Sequence, residues 1–229
     1  MKNRISFFTI IFLLISTFQS IGQTRDVGDF NEVHASSSVT VTLVKAKTPS
    51  VEYTMKKGSE KNLITLVKDG VLYVKIKSNK RNWSNSAQAD VTVYYTELDE
   101  ISASAGCILK SSNTIVANSM EIEVASGSTA KLDVEAKTIE VYVSSGSTLK
   151  LKGEATKGKF EASSGSTLNA YHFKTEDAVV EASSGASLTI HVDNSLVAES
   201  GSGASINYTG NVKKTNIDTG WSGSIKRKN

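Results

Sequence analysis

The chain has 229 residues, 39% of them hydrophobic and 21% charged, with a formal net charge of +3. That length supports one substantial core or two small ones, and the near-neutral balance speaks against nucleic acid as the main partner. Cys107 is the only cysteine, which excludes an intramolecular disulfide.

Residues 1–22 set Lys2 and Arg4 before an apolar run from Ile5 to Ile15 and finish in small and polar residues. This is the three-part pattern of an export signal, and the run is shorter than the roughly 20 apolar residues needed to span a bilayer. Cleavage after Ser20-Ile21-Gly22 is predicted, leaving Gln23 first. The expected location is periplasmic, outer-membrane associated or extracellular, with no membrane span. Beyond this segment no stretch shows helical spacing. Apolar residues alternate instead, which is the strand signal, so the protein is predicted to be all-β.

Residues 23–100 carry the alternation in uneven runs: Val39–Val44, Val51–Met55, Leu63–Val67, Val71–Ile76 and Ala89–Tyr95. Asp69-Gly70 between two of them is a two-residue hairpin turn. Residues 77–88, polar and containing Trp83, read as a longer loop. This part is expected to supply irregular first coils and a cap for the repeat that follows; a separate small β domain is the alternative.

Residues 101–225 are repetitive. VASGSTAKL, VSSGSTLKL, ASSGSTLNA and ASSGASLTI follow one another, with glycines 106, 127, 146, 165, 185, 203 and 223 about 20 residues apart. Three and five residues either side of each glycine stand apolar residues such as Val141, Val143, Leu149 and Leu151, with polar ones between. Each unit is therefore two short strands with an apolar inner face, joined at a Ser-Gly corner where glycine takes positive φ. A flexible Gly-Ser linker would not keep this register. Stacking about 20 residues per turn builds a continuous core, and the predicted fold is a right-handed parallel β-helix or solenoid. A β-sandwich of hairpins is the runner-up. Residues 226–229 form a short basic tail, expected to be solvated.

The segments GDFNEVHASSSVTVTL, KDGVLYVKI and VTVYYTELDEISASAG, followed by the serine-glycine repeats, resemble the autotransporter-adhesin head domain family of exported Bacteroidetes proteins. The resemblance runs from about Gly28 to about Gly220. It implies a right-handed β-helix-like fold and an envelope or extracellular location, and it brings no catalytic residues with it.

The Ser-Ser-Gly-Ser corners carry no nucleophile signature. A catalytic serine needs a base and an orienting group, and it occurs once rather than at every corner. His34, His172 and His191 fall in different columns of the expected stack, so neither a metal site nor a cofactor is predicted. Cys107 reads as a small buried filler. The sharper candidate is an outward stripe four residues before each glycine: Glu123, Tyr142, Glu161 and Glu181, which Glu199 joins if counted from Gly203. The bland reading of that stripe is a solvated face with lysines nearby. Trp83 and Tyr142 are the candidates for stacking on sugar rings.

The function expected from these features is a non-enzymatic exported solenoid that presents a surface for adhesion or for glycan or envelope contact. A polysaccharide-cleaving β-helix enzyme and a self-associating, homo-oligomeric structural envelope protein are the alternatives.

Overall fold

The computed structural model describes residues 22–77 and 87–228. Seven strands precede the repeat: β1 Gln23–Asp26, β2 Glu32–Ser36, β3 Val39–Lys45, β4 Ser50–Lys57, β5 Leu63–Lys68, β6 Val71–Ile76 and β7 Gln88–Tyr95. The rest are β8 Glu100–Ser104, β9 Ile108–Ser111, β10 Ile115–Val124, β11 Thr129–Val143, β12 Thr148–Ala162, β13 Thr167–Ala182, β14 Ser187–Ser200, β15 Ser205–Thr209, β16 Lys214–Thr219 and β17 Ser224–Arg227. From β8 onward every pairing is parallel, so the protein is a β-solenoid, as the alternation and the repeated corner predict.

Each long strand crosses two sheets. In β11 the inward residues are Ala130, Leu132 and Val134, then Ile139, Val141 and Val143. The inward phase slips by one residue between Val134 and Ile139, and that slip bends the chain from a rear sheet into a front sheet. The return from front to rear is the Ser-Gly corner. There Ser126, Ser145, Ser164, Ser184 and Ser202 have φ of 51–54°, and each following glycine has φ of 68–75°. The left-handed conformation thus occupies two positions, one of them a serine, which costs roughly 1–2 kcal/mol at a residue with a Cβ. Hydrogen bonds offset it: Gly127 N–H donates to Ser145 O at 3.0 Å, and Gly146 N–H to Ser164 O at 3.0 Å, so the corners themselves form a ladder.

The last corner residue points inward. Ser128, Ser147 and Ser166 are buried, in a column with Ala186, Ala204 and Cys107. Ser147 Oγ donates to Val124 O on the neighbouring rung at 2.6 Å, and Ser166 Oγ to Val143 O at 2.8 Å. Cys107 makes the same contact with its thiol, Sγ to Ala35 O at 3.4 Å. Burial pushes its pKa up, which suits a filler better than a reactive thiolate.

The first half departs from chain order. β2–β3 is itself a rung with a corner at Ser37-Ser38, and it lies between β6–β7 on one side and β8–β9 on the other. The chain leaves this rung, forms β4 and β5, lays β6–β7 beneath it and then returns above it. β4 pairs antiparallel with β7 and β1 with β4, while β5 pairs antiparallel with β6 through the Asp69-Gly70 turn. These antiparallel strands close the N-terminal end. One apolar cluster runs from Phe30 to Ile206 through the whole stack. At the other end β16 is exposed throughout, and Ile217, in the column of Ala198, lacks a rung above it. Lys213, Lys214, Lys226 and Lys228 flank this open edge, a placement that discourages pairing with another strand.

Candidate functional site

The outward residues of the front sheet stand in ladders, because in-register parallel pairing places equivalent positions of successive rungs side by side. The first column is Glu123, Tyr142, Glu161, Glu181, Glu199 and Asp218, each paired with the next. The structure therefore brings together the four stripe residues read from the sequence, and the register places Glu199 with them. Between this column and the corner runs a shallow trough of about 370 Å³, lined by Tyr142, Glu161, Glu181 and Glu199 and by Ser144, Ser163 and Ser183.

A second column lies two residues earlier on each strand: Glu32, Glu100, Glu121, Glu140 and Lys159, then the half-exposed Val179 and Val197. Sequence reasoning missed it, although Glu121-x-Glu123 and Glu140-x-Tyr142 announce part of it.

Residues 29–212 match the family described as "Putative auto-transporter adhesin, head GIN domain". The chain belongs to this family. The fold of this head GIN domain is similar to that of a "putative adhesin" from Bacteroides fragilis, with a TM-score of 0.81 and 18% identity over 91% of this chain and 96% of the other. A "putative adhesin" from Parabacteroides merdae gives 0.72 and 16%, over 91% and 95%. A "putative lipid binding protein" from Parabacteroides distasonis gives 0.67 and 17%, over 92% and 98%. Identities this low establish the fold alone. No curated protein matches the chain.

Acidic side chains of the head GIN domain stand next to one another on the front sheet. Like charges set directly opposite on neighbouring strands disfavour one another. Burial, followed by the nearby Glu100, Glu140, Glu123 and Glu32, raises the pKa of Glu121 above the usual carboxylate value. The raised value means that the folded state holds this proton more tightly than the unfolded chain. The penalty is absent below the unfolded value near 4.5 and grows as pH rises through the folded one. Glu121→Gln is accordingly expected to raise the urea midpoint at pH 7 and to leave it unchanged near pH 4. An equal gain at both would contradict the ladder repulsion.

Tyr142 is held on both sides. Its hydroxyl donates to Glu140 Oε2 at 2.6 Å, a bond that raises its pKa, and the Lys159 ammonium lies 5.6 Å from its ring centre. Lys159 also bridges to Glu161 at 2.6 Å, which raises the lysine pKa. One face of the tyrosine ring is therefore covered by a cation, which leaves less of it for stacking. Trp83, the other stacking candidate, lies outside the described residues.

The three histidines have different surroundings. His172 packs edge-on against Tyr171, and His191 contacts Asp193 and Thr209. His34 stands on the front sheet, Nε2 2.9 Å from Glu100 Oε1 and 3.9 Å from Glu32 Oε2. Its separation from Glu100, 66 residues along the chain, hid this grouping from sequence reasoning. Among the described residues no helix is long and apolar enough to cross a membrane.

Proposed function

We propose that this head GIN domain is a non-enzymatic adhesion module outside the cytoplasm, and that its front sheet holds an extended polysaccharide along the trough beside Tyr142, Glu161, Glu181 and Glu199. The observation that carries the reading is the repetition. Carboxylate acceptors recur on three successive rungs at Glu161, Glu181 and Glu199, about 4.8 Å apart, with corner serines along the opposite wall, so the trough offers a repeating set of hydrogen-bond partners to a repeating ligand. Membership in an adhesin head family supports a surface role, and the signal-like segment at residues 1–22, outside the described residues, supports export.

The geometry favours binding over cleavage. Glycoside hydrolysis needs two carboxyl groups flanking one bond. Here Glu161, Glu181 and Glu199 stand in one line on one wall, with serines on the other. A glycan array probed with the purified protein is expected to give binding to an envelope or host polysaccharide. Glu161→Gln combined with Glu181→Gln should weaken it by roughly tenfold or more, since each charged hydrogen bond contributes about 1.5–3 kcal/mol. Absence of binding to every polysaccharide, or release of new reducing ends, would overturn the reading.

A further inference from the structure

We propose that Glu32, His34 and Glu100 form a binding site for one divalent transition-metal ion of the zinc type, independent of the trough. Two strands distant in sequence build it. β2 carries Glu32 and His34 two residues apart, so both side chains leave the same face of the sheet. β8 lies alongside in parallel register, with Glu32 opposite Glu100 and His34 opposite Ser102.

The donor atoms converge. His34 Nε2 is 2.9 Å from Glu100 Oε1 and 3.9 Å from Glu32 Oε2, and the three donors lie within 4.8 Å of one another. Ligands about 2.1 Å from a zinc ion are separated by about 3.4 Å at the tetrahedral angle, a value that the two observed separations bracket. The site needs only small side-chain adjustments to close around an ion. Tyr73 packs edge-on against the imidazole, centroids 5.5 Å apart, and restricts the orientation of the ring.

Burial and donor type define the ion. All three side chains are about one-third exposed, so their stems are held by the sheet while a further coordination position faces solvent. One imidazole nitrogen with two carboxylates suits zinc-type ions, whereas calcium and magnesium favour all-oxygen sets. The hydrogen bond between His34 and Glu100 is the arrangement these groups take by themselves, and the experiment separates a simple ion pair from a ligand set.

Isothermal titration of Zn²⁺ into the untagged protein is expected to show one saturable site per chain. His34→Ala and Glu100→Gln should each weaken it by roughly tenfold or more, while His191→Ala leaves it unchanged. Excess Ca²⁺ should not displace the ion. No saturable site, unchanged affinity in His34→Ala, or equal displacement by Ca²⁺ would overturn the proposal. The titration contains no glycan, so its outcome is separate from that of the trough.

Discussion

Phe160→Ala is expected to cost the fold about 3–5 kcal/mol, read as a lower urea midpoint. Phe160 is 1% exposed and stands in the inward column between Val141 and Val180. Its ring meets Phe173 edge-to-face, centroids 6.3 Å apart. Gly158 makes the room, because a Cβ there would lie 2.4 Å from the Phe160 ring. The void left by alanine would be hard to close, since the hydrogen-bond ladders fix the spacing of the rungs on either side. A loss below about 1 kcal/mol would mean that the ring does not pack as described.

Gly153→Ala should be comparably damaging, about 3 kcal/mol, although it adds a single methyl group. Gly153 has φ of +112°, and a Cβ there would lie 2.0 Å from Val134 O on the adjacent rung. That oxygen belongs to the backbone of a strand paired on both sides, so it has little freedom to yield. Gly146 provides the comparison: its φ is +68°, yet nothing lies within 4 Å of its added Cβ. Gly146→Ala should cost only the conformational penalty of roughly 1–2 kcal/mol. Similar losses at both sites, measured by the same urea titration, would show that backbone conformation rather than the clash dominates.

Much of the architecture was legible in the residues themselves. Alternation such as Leu149-Lys150-Leu151 specifies which side chains face the core, because the strand period is two. The recurring Ser-Gly pair marks where each rung turns. Counting back four residues from each corner glycine then aligns Glu123, Tyr142, Glu161 and Glu181, although the repeats differ by a residue in length, which is why that column is legible in the sequence. The serines were legible only in part: nothing local told that Ser145 takes the left-handed conformation while Ser147 turns inward.

The grouping of Glu32, His34 and Glu100 was not legible. It depends on β2–β3 lying between β6–β7 and β8–β9, an order opposite to the sequential stacking that holds from β8 onward. Local pattern carries no record of this, because backbone hydrogen bonds are alike for every strand and leave the choice of neighbour open. Sequence by itself determined which face each residue occupies and where the repeat turns. Tertiary structure alone decided which rungs touch, since strand order is set by long-range pairing and by closure of the N-terminal end rather than by local alternation.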